Sequence, residues 1–188
     1  IDAALGITIA ELDGSTYPEI GLATGYLEVI DPTAGTSELH GNVRVYGYGG
    51  SSYSSEWSSS DLDQIVGGIA SGDLGGSNDY LVVGTSGDSR NDNQVAGEVI
   101  VYKRSGSTYT TDGSAIDSER YRPYGIAVGD VDNDGETEIA VGTGDFGDSK
   151  PTVTVYEGSS RSVEYSKTVD TSSVWGVAAD DFDSDGFG

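Results

Sequence analysis

Cysteine is absent from this chain, so no disulfide framework holds the fold, and the redox compartment leaves no trace in thiols. Methionine is absent too; a chain without its initiator residue reads as a processed or internal fragment, and further sequence is expected around it. The single histidine, His40, excludes a multi-histidine zinc site and leaves Ser/His/Asp chemistry only one candidate base. Standing before Gly41, it reads as an exposed loop residue. Positive charge is scarce: 9 Lys+Arg against 32 Asp+Glu give a net charge of −23. That balance argues against nucleic acid or an anionic membrane face as partner, and no long apolar run offers direct membrane insertion. High negative charge with few aromatics can mean disorder, but a regular strand pattern argues otherwise.

What is abundant is acid and glycine. The most informative stretch is Asp130-Val131-Asp132-Asn133-Asp134-Gly135-Glu136-Thr137-Glu138. A hard divalent cation takes six to eight oxygens at about 2.3–2.6 Å, and alternating acids converge on one point when a glycine lets the backbone turn sharply. Asp130, Asp132, Asp134 and Glu138 supply the side chains, Glu136 its carbonyl, and Gly135 the turn. The helix-flanked EF-hand needs a glutamate at the place where Val141 stands, so this is not an EF-hand. Short β-branched segments on either side, Gly125–Gly129 and Ile139–Thr143, make the loop a connection between two strands.

The same strand-loop-strand unit recurs. Its opening glycines are Gly6, Gly68, Gly125 and Gly176, spaced by 62, 57 and 51 residues. The length differences fall in Gly/Ser/Asp-rich stretches, Gly25–Asn42 and Gly84–Gly97, which read as loops. Each complete unit is followed by a third strand (Asn42–Tyr46, Glu98–Tyr102, Thr152–Tyr156) and a polar fourth (Ser52–Ser58, Ser107–Thr111, Ser162–Val169), with no helical period anywhere. Four-stranded units repeated radially are propeller blades. The expected fold is therefore all-β: one partial β-propeller domain over residues 1–188, with antiparallel blades at 1–61, 62–120 and 121–171 and an incomplete fourth at 172–188. The first strand of each blade should lie innermost and the polar fourth outermost. Tyr46, Tyr102 and Tyr156, with Tyr53, Tyr109 and Tyr165, are expected to pack between blades.

At these units the chain resembles the FG-GAP / VCBS family of calcium-binding β-propeller repeats, also seen in integrin α subunits. The residues that carry the likeness are Tyr124-Gly125 and Trp175-Gly176, the acidic core Asp130–Gly135, its copy Asp181–Gly186, and the strand ends Val83–Thr85 and Val141–Thr143. Leu5-Gly6 and Gly67-Gly68 lack the opening aromatic and no Gly-Ala-Pro occurs, so the likeness is to microbial VCBS-type repeats and implies no integrin-like ligand site. The resemblance implies a calcium ion between the first two strands of a blade. Carried over by position, the fourth loop offers Asp181, Asp183, Asp185 and the Phe187 carbonyl. The first offers Glu11, Asp13, Ser15, the Tyr17 carbonyl and Glu19, with Thr16 where the turn glycine belongs. The second, Asp73–Asp79, is one residue shorter and has a glycine in place of a ligand, so it reads as a metal-free turn.

The function these readings favour is a non-catalytic, calcium-stabilised module at the cell surface or outside the cell. Its expected partners are a protein or glycan surface ligand, or copies of itself in an assembly. The alternative is the calcium-containing scaffold of a secreted polysaccharide-degrading lyase, but the chain offers few bases to neutralise uronate carboxylates. Carboxylate pairs suited to glycoside hydrolysis are numerous, yet the clustered ones already have calcium-type spacing. No catalytic residue is assigned.

Overall fold

The computed structural model describes residues 3–31, 33, 36–86, 96–117, 122–144, 151–170 and 173–180. Among them every regular element is a strand. Strands β1 (Ala3–Ala10), β2 (Glu19–Asp31), β3 (Thr36–Tyr48) and β4 (Tyr53–Ser58) form the first antiparallel sheet in chain order. The second consists of β5 (Ile65–Gly72), β6 (Tyr80–Ser86), β7 (Glu98–Ser105) and β8 (Thr108–Thr111), with β9 (Ile116–Asp117) pairing alongside the start of β7. The third is β10 (Arg122–Gly129), β11 (Glu138–Gly144), β12 (Thr152–Glu157) and β13 (Val163–Thr168).

The opening glycines occupy equivalent places. Each first strand shifts register on reaching its glycine: between Ala4 and Gly6, between Val66 and Gly68, and between Pro123 and Gly125. The reason lies in the next unit. A Cβ placed on Gly6 would sit 2.9 Å from Ile69 Cγ2, on Gly68 2.6 Å from the Tyr124 carbonyl oxygen, and on Gly125 2.9 Å from Gly176 Cα. Glycine is needed where the next first strand crosses close to the backbone.

Two apolar seams join the sheets. Ala23, Val43 and Val45 of the first sheet meet Leu81, Val83, Tyr102 and Tyr109 of the second. On the second sheet's other face, Val82, Val99 and Val101 meet Ile126, Ile139 and Val141 of the third. Because successive side chains on a strand point to opposite faces, the run Leu81-Val82-Val83 serves both seams in turn, and all three residues are fully buried. Each such side chain contributes about 1.5–3 kcal/mol of burial. Trp57 closes the first seam with its ring centroid 5.4 Å from that of Tyr102 and 5.0 Å from that of Tyr109. Tyr156 packs on the second seam; Tyr53 and Tyr165, expected between blades, are instead exposed on the fourth strands, at the edges of their sheets.

Strands β10 and β13 are the opposite edges of the third sheet: β10 lies against β5 and β6, and β13 is exposed along its length. Residues 173–180 extend the pattern, with Val174 N–H donating to the Thr143 carbonyl at 3.0 Å and Trp175 stacked on Tyr124 at 4.5 Å.

Two further expectations need correction. Much of the stretch 25–42, expected as a loop, is strand: β2 and β3 pair from Ile20↔Tyr46 out to Asp31↔Thr36. Tyr26, Leu27, Val29 and Ile30 are strand formers, and Gly25 and Gly41, which look like punctuation in the sequence, pair with each other. A Cβ on Gly25 would lie 2.7 Å from Ile65 Cγ2, so the glycine serves close approach, not a turn. Consequently His40 is no loop residue. It sits in β3 with its side chain 14% exposed, its ring stacked on Tyr26 at 4.8 Å.

Candidate metal centre

The loop between β10 and β11 brings four of its acids together: one carboxylate oxygen from each of Asp130, Asp132, Asp134 and Glu138 lies within 4.8 Å of the others. Two oxygens across an ion with bonds of about 2.3–2.6 Å stand about 4.6–5.2 Å apart, so the spacing suits a hard divalent cation.

The backbone builds this geometry. Asn133 and Gly135 both take positive φ, 58° and 91°, which folds the chain back on itself. Each acid then spends one oxygen on a backbone N–H: Gly135 donates to Asp130 Oδ2 at 3.1 Å, Asp134 to Asp132 Oδ1 at 3.2 Å, and Glu136 to Asp134 Oδ1 at 2.8 Å. Val131 N–H donates to Glu138 Oε2 at 2.7 Å. The second oxygens are left over, and two of them, Asp130 Oδ1 and Glu138 Oε1, are buried with no hydrogen-bond donor. A buried acceptor without a donor is costly. Among the described residues no lysine or arginine pairs with this cluster. The residues therefore fit a hard dication, which would satisfy both orphaned oxygens and neutralise the charge; the oxygen-only donor set matches calcium.

Glu138 opens β11 and is 1% exposed. Burial pushes its carboxyl up to about 7; the Val131 N–H opposes this, and the charges of Glu164, Asp132 and Asp130 reinforce it.

Sequence reasoning missed two further acids. Glu157, at the end of β12, and Glu164, in β13, form a second cluster with Glu138. A bulge in the β12–β13 ladder between Val155 and Tyr156 leaves Glu164 out of the paired series and breaks the alternation on which a face assignment rests. The first sheet repeats the arrangement, with a bulge between Val45 and Tyr46 beside Glu56, and Glu56 clusters with Asp13 and Glu19. The available signal was a glutamate directly before the fourth-strand aromatic, Glu56-Trp57 and Glu164-Tyr165.

In the β1–β2 loop, Glu19 is as buried as Glu138, and Leu12 N–H donates to its Oε2 at 2.8 Å. Ser15 Oγ donates to the Tyr17 carbonyl at 2.8 Å and lies 3.4 Å from Glu19 Oε1. Asp13 joins Glu19 in the acidic cluster there, and the backbone N–H of Glu11 donates to Asp79 Oδ2 of the second unit at 3.3 Å. The β5–β6 loop is closed differently: Asp73 Oδ1 accepts from the N–H groups of Gly75 and Gly76 at 2.8 and 3.0 Å. Asp181, Asp183, Asp185 and Phe187 lie outside the described residues.

Comparison with known proteins picks out the unit that holds the four-acid loop. Among curated proteins no match to the chain is found. Residues 122–158 match the family described as the FG-GAP repeat, a span running from the start of β10 past the end of β12. Over these residues the third unit of the chain is similar to an FG-GAP repeat.

Proposed function

We propose that the chain is part of a calcium-stabilised β-propeller that acts as a non-catalytic interaction module outside the cell or at its surface. The observation that carries this reading is the pair of buried, donorless oxygens, Asp130 Oδ1 and Glu138 Oε1, inside a four-carboxylate loop of an FG-GAP repeat. Calcium bound by Asp130, Asp132, Asp134, Glu138 and the Glu136 carbonyl fastens β10 to β11. Such oxygen-only sites span wide affinities, and millimolar calcium outside cells fills even the weak ones in large part. Seams repeated from unit to unit support the radial arrangement, in which every sheet needs a neighbour on each face. No helix among the described residues is long and apolar enough to cross a membrane. A protein or glycan ligand, or further copies of the chain, are the partners this reading assigns.

The reading assigns no catalytic residue. The lone imidazole, His40, is occupied by Asp61 and by Glu28 at 3.2 Å. The test of the reading is a calorimetric calcium titration of the parent and of Asp132→Ala. The substitution removes a central ligand and abolishes or weakens one class of site; identical stoichiometry and affinity in the two proteins would sink the assignment.

A further inference from the structure

The β1–β2 loop has the same place in its unit as the four-acid loop in the third, yet here a cation of the protein itself reaches the acids. Arg104, on β7 of the neighbouring sheet, brings Nη1 to 3.4 Å from Asp13 Oδ2 and 4.0 Å from Glu56 Oε2. Its side chain is only 22% exposed. The guanidinium is also held by its own unit: Nε donates to the Gly106 carbonyl at 2.9 Å, Nη1 lies 3.5 Å from the Tyr109 hydroxyl, and the group stands 5.8 Å from the Tyr109 ring centroid. Such a planar, fixed fork cannot wander as an exposed lysine does.

Two more contacts hold the loop from the second unit. Asp79 exchanges hydrogen bonds with Glu11, its N–H donating to the Glu11 carbonyl at 3.1 Å, and Asn78 Nδ2 donates to the Leu12 carbonyl at 3.3 Å. Between these contacts Leu12 is fully buried. Serine at position 15, where the FG-GAP loop has Asp134, replaces a charge by a hydroxyl donor aimed at the Tyr17 carbonyl. None of the loop's carboxylate oxygens is buried without a donor, in contrast to Asp130 and Glu138.

We propose that Arg104 is the resident counter-ion of the first loop: its guanidinium stands in for a divalent cation and ties the first sheet to the second, so that this loop folds without metal. The inference goes beyond the calcium reading of the third unit and departs from what the family resemblance implies for Glu11, Asp13, Ser15, Tyr17 and Glu19. The chain thus carries two versions of one loop, one closed by an ion from solution and one closed by the neighbouring unit.

Two arms test this. In calcium calorimetry, Asp13→Asn should bind the same number of ions as the parent with the same affinity; loss of one ion in Asp13→Asn would overturn the proposal. In excess chelator, Arg104→Gln and Asp13→Asn should each lower the melting temperature by about 2–4 °C, the shift expected for a loss near 1 kcal/mol in a chain of this size. The double variant should melt no lower than the weaker single one, because both remove the same contact; additive losses would overturn it. Should Arg104→Gln fail to fold, the calorimetry of Asp13→Asn decides alone. A parent that binds no calcium would defeat the reading of the third unit but leave the chelator arm intact.

Discussion

The four-acid loop of the third unit and the corner around His40 are both dense in carboxylates, and they differ in whether the protein supplies a positive charge. At the corner, the β2–β3 hairpin contributes Glu28 and Glu38, the connection to β5 contributes Asp61, and His40 stands among them, bonded through Nδ1 to Asp61 and 3.2 Å from Glu28 through Nε2. Asp61 Oδ1 is also used, accepting from the N–H groups of Gly41 and Asp63 at 3.2 and 3.1 Å. In the third unit, Asp130, Asp132, Asp134 and Glu138 gather with no protein cation among the described residues, and two oxygens are orphaned. One cluster carries its own counter-ion, so its stability follows pH. On the proposed reading the other takes its counter-ion from solution, and its stability should follow the metal.

The largest effect should come from removing that metal. A ligand that binds only the folded state contributes about 2.7 kcal/mol at 100 times its Kd, which corresponds to about 5–10 °C in a chain of this size. Excess chelator at fixed ionic strength should lower the melting temperature by that amount, and a melting curve that does not move would break the comparison. Next in size is Glu138→Gln, which keeps the shape and removes the buried charge. Calcium affinity should fall on the order of tenfold or more, and the calcium-dependent rise in melting temperature should shrink with it, whereas His40→Gln should leave both unchanged.

Smaller still is Asp73→Ala, in the loop closed by hydrogen bonds alone. Asp73 is exposed, so water takes up the two N–H groups that its carboxylate releases, and the loss should be about 1 kcal/mol, equally with calcium and with chelator; a loss confined to calcium buffer would mean that this loop binds metal after all. The smallest effect is that of pH at His40. The Asp61 hydrogen bond raises its pKa above 6.5, partial desolvation opposes this, and the charges of Asp61, Glu28 and Glu38 add to it. A base that gains affinity for its proton on folding contributes stability that is full below the unfolded value near 6.5 and is lost as pH rises through the higher folded value. Melting temperature should therefore fall across that window more steeply in the parent than in His40→Gln, measured in chelator to keep the metal out.

Much of this was legible in the sequence because it is local. The alternating acids and the glycine of residues 130–138 encode both the turn and its ligands within a few residues, and the glycine anchors repeat because each first strand must pass close to the next. Less legible was whatever depends on register or on another unit. Glu56 and Glu164 face the loops only because a bulge shifts the fourth strand, and a two-residue period misplaces them. The length of β2 and β3 was hidden by Gly25 and Gly41, whose role is close approach to Ile65 and its neighbours. Arg104 reaches Asp13 from a strand of the second sheet, a contact that no local pattern records.

The central claim is that a cation completes the third loop, and a crystal structure grown in millimolar calcium tests it most directly. The account predicts an ion with six to eight oxygens at about 2.3–2.6 Å, among them Asp130 Oδ1 and Glu138 Oε1, the two that now lack a donor. A loop holding only water, with these two oxygens turned to solvent or bonded to a protein donor, would contradict it.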